Sequence, residues 1–327
     1  MNTIINFFFA AVRSGTPLLF GTTGEILTQK SGSLNLGVEG LMYMGAFAGF
    51  FVAYKTGNLL LALLGAFLFG VLGALVYAFL TVTLQANQNV TGLALTIFGT
   101  GVAQMLGFWM IQSNDGLKPI VNDSMMRQIS DSGIPYLRDI PVIGKMFFSY
   151  NVLVYLALII AVLVWFYLNK TRAGLNVCAV GENPAAADAS GLAINRIKYV
   201  NIMIGGGICG LGGAYISLIN GIGNWDNNCV SGQGWISVAL VIFAAWNPAK
   251  AILGSLLFGA FTALQIRAAD FAAEFSFLSF MTKIPSAVYQ MLPFVITAVI
   301  LIISSIRQKK EGNQPAACGI NYYREER

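Results

Sequence analysis

Two groups of residues in this chain could do chemistry. Glu25 and Glu39 are the acids nearest the apolar stretches of the N-terminal half. A carboxylate inside a bilayer is costly to bury and marks a functional site by default, whereas near the interface it would pair with Lys30 or cap a helix end. The sequence leaves both readings open. Asn35 sits among glycines, where its amide either meets a solute or satisfies broken backbone. The second group is the amide cluster Gln85, Asn87, Gln88 and Asn89, followed by Thr91. Amides offer donors and acceptors without charge, which suits a path for a polar, uncharged solute; the plain alternative is a turn between helices with Asn89 as cap.

Other chemistry is disfavoured. The chain has no histidine, the usual acid–base catalyst at neutral pH and the commonest metal ligand, so an enzyme is the minority reading. The only Gly-Lys pair, Gly144-Lys145, has Asp139 where a phosphate loop needs its first glycine. Cys178, Cys209, Cys229 and Cys318 form no CxxC pair and fall in different compartments of the expected topology, against a disulfide or zinc framework. The net charge of +5 is scattered over loop ends and suggests no nucleic-acid partner.

The elements that must position these residues are membrane helices. Of 327 residues 56% are hydrophobic and 10% charged, and mean hydropathy is +0.70, far too apolar for a soluble domain. Residues 56–114 carry no charge, enough for two spans at about 20 residues each. Further uncharged runs predict an all-α polytopic membrane protein of about eight to ten transmembrane helices. The first apolar segment lacks a basic region and cleavage site, so it is expected to be retained. Residues 24–40 are too polar for a lipid-facing span and too glycine-rich for an ordinary loop, which predicts broken or re-entrant backbone. Residues 235–246 are short for a span and precede Asn247-Pro248, a second candidate half-helix. Trp225, Trp235 and Gln233 flank Gly232 and Gly234 on the outer side, more in the manner of interface anchors than of a ligand platform.

One segment does not fit lipid at all: Glu182, Asn183, Pro184, Ala185, Ala186, Ala187, Asp188, Ala189, Ser190 and Gly191. Asn183 can cap a helix, Pro184 suits its first position and Gly191 can end it in left-handed conformation. Lys170, Arg172, Arg196 and Lys198 bracket the loop and place it in the cytoplasm. In a membrane protein without an engine of its own, the insert is expected to dock a soluble partner through Glu182, Asp188 and the alanines; a capped helix that merely tidies the loop is the alternative. Counting outward gives a membrane domain over 1–306, an external loop at 112–147 with Asp115, Asp123, Asp131 and Asp139 balanced by four bases, a cytoplasmic loop at 169–198 and a cytoplasmic tail at 307–327. Small residues recur at four-residue spacing, as Gly45/Gly49 and Gly206/Gly210, which permits close helix packing. Leu64 to Leu75 and Leu253 to Leu264 agree at seven of twelve positions, consistent with an internal duplication or with chance among glycine-rich apolar helices.

The run Gly24 to Leu27, the run Ser31 to Gly40, the run Ala86 to Leu95, the run Gly181 to Ala187, the run Gly234 to Leu240 and the pair Asn247-Pro248 together resemble the permease subunits of bacterial ABC importers of the ribose, branched-chain amino acid and nucleoside type. The resemblance covers about residues 15–305 and is nearest the nucleoside and simple-sugar branch. It implies half of a translocation path for a small polar solute, most readily a nucleoside, with a simple sugar or a riboflavin-like vitamin as alternative. It also implies a second permease subunit, two ATPase subunits that use ATP and Mg so that this chain binds no cofactor, an extracytoplasmic solute-binding protein, and residence in the bacterial cytoplasmic membrane. The 182–192 helix matches that family's coupling element. A carrier driven by ions through Glu25 and Glu39 is the rival, and a membrane enzyme the third reading.

Overall fold

A computed structural model describes residues 2–130, 133, 138, 140, 143–274, 284–307 and 314–323, so Asp131, Asp139, Lys309 and Lys310 lie outside the described residues. Helices dominate: α1 (Asn2–Lys30), α2 (Val38–Thr56), α3 (Leu59–Ala78), α4 (Gln88–Gln112), α5 (Asp123–Ile129), α6 (Ile143–Phe147), α7 (Val152–Lys170), α8 (Arg172–Glu182), α9 (Pro184–Ala189), α10 (Ile194–Tyr215), α11 (Gln233–Phe243), α12 (Pro248–Glu274) and α13 (Ser286–Arg307). One π-turn extends α3 over Phe79–Thr83 and another extends α10 over Ile216–Asn220. Among the described residues six helices are long and apolar enough to cross a membrane: α1, α3, α4, α7, α10 and α12. α2, α11 and α13 fall outside that set, and of these α2 and α11 start part-way along their neighbours.

Glycine decides how closely these helices approach. Gly45 of α2 lies on Gly210 of α10, and a Cβ on Gly213 would strike the Met42 carbonyl. Without a hydrophobic drive between spans, such backbone contact is a main source of cohesion. Gly213→Val is therefore expected to reduce sharply the monodisperse protein recovered in mild detergent, read by size-exclusion chromatography. An unchanged elution profile and yield would show that the contact is dispensable.

The weak repeat has a structural counterpart. α3 packs along α10, and α12 packs along α1. Within the two matching segments, Ala66 abuts Gly210 where the equivalent Ser255 abuts Gly15, and Gly70 meets the Gly206 carbonyl where Gly259 meets that of Ala11. Gly24 faces Gly205 and Gly212 faces Pro17, so α1 and α10 run in opposite directions. The units α1–α2–α3 and α10–α11–α12 thus have inverted senses, and each lends its third helix to the first helix of the other. Equivalent positions doing equivalent packing work favour duplication over chance.

Candidate functional site

The two broken regions meet inside the fold. α1 continues unbroken through Gly24 to Lys30, and the break is confined to residues 31–37. The sequence expectation of irregular backbone from 24 onward is corrected to that extent, because Thr28 and neighbouring residues complete the last helical turns. α2 then starts with Leu41 beside Gly206, close to the middle of the span formed by α10 and its π-turn. Backbone between helices at that depth needs internal partners. It has them: Leu34 N–H donates to Gln88 Oε1 at 2.7 Å, Asn35 N–H to Glu25 Oε1 at 3.1 Å, and Gly37 N–H to Asn35 Oδ1 at 2.8 Å. Tyr77 and Thr96 hydroxyls donate to the Leu34 and Leu36 carbonyls.

A second break approaches from the other side. After the Ile216–Asn220 turn the chain does not leave directly into α11; it descends along α2. Trp225 packs on Phe50 and Phe47 at 5.3 and 5.8 Å between ring centroids. Further down, Tyr43 Oη donates to Asn228 Oδ1 at 2.9 Å and accepts from Ser231 N–H at 3.3 Å. At the bottom Glu39 receives Gly232 N–H and Gly234 N–H on its two carboxylate oxygens, each at 2.7 Å. From Phe50 to Glu39 this path covers about 16 Å along the α2 axis. Trp225 is 1% exposed, so the interface-anchor reading does not hold for it; the buried ring supports re-entrant backbone.

Glu39 therefore sits between the N-termini of α2 and α11. Each helix start carries a partial positive charge and unpaired N–H groups, so their meeting would be repulsive without an anion between them. Both oxygens of Glu39 accept, an arrangement suited to an ionised carboxylate. The expectation that an acid caps a helix end is right in kind; the helix capped belongs to the other half of the molecule. Glu25 is 1% exposed. Its neighbours are Gln29 Nε2 at 2.7 Å and the Asn35 amide, and Gln29 Oε1 in turn accepts from Trp246 Nε1 at 2.6 Å.

Of the amide cluster, Asn87 rather than Asn89 caps α4, its Oδ1 accepting from Val90 N–H at 3.1 Å. Asn89 and Asn87 are exposed, while Gln88 and Thr91 are buried. Exposed polar groups beside the descending segment, Asn228 and Ser231, with half-buried Gln104, were missed. Their signal was the polar run Asp226-Asn227-Asn228, four residues ahead of Gly232.

The insert folds as its residues require. Asn183 Oδ1 accepts from Ala186 N–H at 3.0 Å, Pro184 opens α9, and Gly191 ends it at φ 81°. Ala187 turns inward with Val180 and Ile194, leaving Ala185, Ala186 and Ala189 exposed. Glu182 accepts from Ala316 N–H at 3.3 Å, and Asp188 Oδ2 from the Tyr322 hydroxyl at 3.0 Å. The preceding segment, unassigned in sequence, is the helix α8, capped by Thr171 and seated on α7 by Gly174 against the Tyr167 carbonyl.

Inverted broken helices meeting at depth, beside a capped helix too polar for lipid and without a nucleotide loop in the sequence, define a multi-pass membrane permease. The chain belongs to the family of branched-chain amino acid transport system permease components, whose family model matches residues 7–304. It is 34% identical over 315 residues to the nucleoside ABC transporter permease protein NupC of Lactococcus lactis, covering 94% of this chain and 93% of that one. It is 31% identical over 323 residues to the guanosine ABC transporter permease protein NupQ of Bacillus subtilis, covering 95% and 94%. A putative glucose ABC transporter permease, TsgC13 of Haloferax volcanii, is 38% identical over 259 residues, 79% of this chain and 76% of that one. No solved structure matches. The chain is an ABC permease component.

Proposed function

We propose that this chain forms half of an import path for nucleosides, paired with a second permease in the cell membrane and driven by separate ATPase subunits that use ATP and Mg. The observation that carries this is α9, a capped helix with its small side chains exposed, in a loop that the flanking basic residues assign to the cytoplasm. Its alanines offer a close-packing face for a cleft on the ATPase, and Glu182 and Asp188 flank that face. ATP would close the ATPase pair, pull on α9 and tilt the spans, switching the side to which the path opens.

The nucleoside assignment draws on the names of NupC and NupQ, and the exposed amides suit an uncharged solute rich in hydroxyl and ring nitrogen groups. Asn228, Ser231 and Gln104 at the level of α2, with Asn87 and Asn89 at the inner mouth, are the proposed path residues. Glu25, Asn35, Glu39 and Gln88 act one layer behind, holding the broken backbone around it, with Thr91 buried beside Gln88 on α4. An ion-coupled carrier loses support because both acids it needs are engaged in that backbone. A solute-binding protein on the outer face would deliver the cargo.

Uptake of labelled guanosine by cells expressing the whole transporter is expected to be competed by unlabelled nucleosides at micromolar concentration and not by glucose or ribose. Competition by sugars alone would overturn the nucleoside assignment and leave the permease role standing.

A further inference from the structure

Residues 314–323 are bonded to the rest of the fold. Residues 314–323 return to the cytoplasmic face and lie between two parts of the molecule that a coupling motion must join. On one side, Ala317 N–H donates to the Gly181 carbonyl at 2.9 Å and Ala316 N–H to Glu182, at the start of the coupling loop. The Tyr322 side chain joins the small apolar cluster beneath α9 and donates to Asp188. On the other side, Asn321 Nδ2 donates to the carbonyls of Gln85 and Ala86, and Asn321 Oδ1 accepts from Gln88 Nε2 at 3.0 Å. Gly319 packs near Leu34 in the break between α1 and α2.

Adjacent side chains of an extended segment point to opposite sides. Residues 321 and 322 use that alternation: Asn321 reaches the α3–α4 turn, and Tyr322 reaches α9. The main packing of α9 on other helices is with α8 and α10. Gln88, gripped by Asn321, is also the acceptor for Leu34 N–H, so three residues in series connect the coupling helix to the broken span.

We propose that residues 314–323 are a coupling strap, with Asn321 and Tyr322 as positioning residues that transmit displacement of α9 to the α3–α4 turn and the α1–α2 break. The proposal rests on the ATPase-docking role of α9 given above. A strap of two hydrogen-bonded ends transmits a pull without its own rearrangement, because lengthening either end would break bonds to partly buried groups. Burial also pushes the Cys318 thiol, in the middle of the strap, up to about 11, so it is a slow nucleophile at neutral pH while the strap is docked. It can therefore report release.

The test uses the complete transporter reconstituted in liposomes with its ATPase and solute-binding protein. Tyr322→Phe removes one hydroxyl, and Asn321→Ala removes the grip on the turn. Each is expected to lower the solute moved per ATP hydrolysed at least three-fold, with the same amount of ATPase retained on purification, and the double variant to be no worse than the poorer single one. Maleimide labelling of Cys318, read by mass spectrometry, is expected to accelerate in Asn321→Ala. A purely structural role would lower ATPase retention and transport together and leave their ratio alone. A wild-type ratio of solute to ATP in both variants overturns the strap, whether or not Cys318 labels faster. Failure of the unaltered chain to retain any ATPase would instead remove the docking reading, and the strap with it.

Discussion

Asp188→Lys is expected to reduce solute uptake at least ten-fold while the protein reaches the membrane in normal amount. The substitution takes the acceptor from the Tyr322 hydroxyl and places a cation on the edge of the surface that α9 presents. The fold around it survives because α9 is held from below by Ala187 among Val180 and Ile194, which the change does not touch. ATP hydrolysis is expected to continue, no longer tied to transport. Gly191→Val tests the same element by a different route. There is open space around a Cβ at Gly191, so no clash arises, but φ is 81° and a β-branched residue there costs about 1–2 kcal/mol. That is enough to fray the end of a six-residue helix without unfolding spans. The readouts are uptake into cells, ATPase co-purification and hydrolysis in liposomes. Uptake and partner binding equal to wild type in both variants would end the docking assignment.

Glu39→Gln is expected to be the most damaging isosteric change in the membrane core. Glu39 is 6% exposed and accepts two N–H groups from the start of α11. A glutamine of the same size keeps one acceptor and turns an NH2 group toward the other donor. It also removes the negative charge between two helix N-termini. A hydrogen bond to a charged group is worth about 1.5–3 kcal/mol, so the loss is expected to be about 3 kcal/mol or more. Glu39→Asp keeps the charge but shortens the reach, and should fall between. The measurement is the thermal midpoint of the detergent-solubilised protein together with uptake in cells. If Gln at this position leaves the midpoint and the uptake unchanged, Glu39 does not hold the two half-helices together.

Much of this was legible in the residues. Asn183, Pro184 and Gly191 each have a local reason to start or stop a helix, and a helix of six residues at that place needs only those reasons. The apolar runs gave the spans because lipid allows backbone to cross mainly as helix. The glycine-rich stretch before Gly40 announced irregular backbone, and the break is there, within residues 31–37. The extent was overstated because Gly24 and Gly21 serve close packing, against Gly205 and Ser237, rather than flexibility. Sequence cannot distinguish these uses of glycine, since both need only the missing Cβ.

By itself, then, the sequence determined the membrane class, the capped helix at 184–189 and the existence of two broken spans, because each depends on properties that neighbours along the chain supply: hydropathy, capping groups and helix-breaking residues. Only the tertiary structure decided what the polar residues do. Glu39 meets Gly232 and Gly234 across 193 and 195 positions, and Gln88 meets Asn321 across 233. A buried polar group takes the partner that topology brings within about 3 Å, because leaving it unpaired in an apolar interior is costly. No spacing rule reaches that far along a chain, so acids and amides that read equally well as a solute path became, in the fold, the supports of the backbone around one.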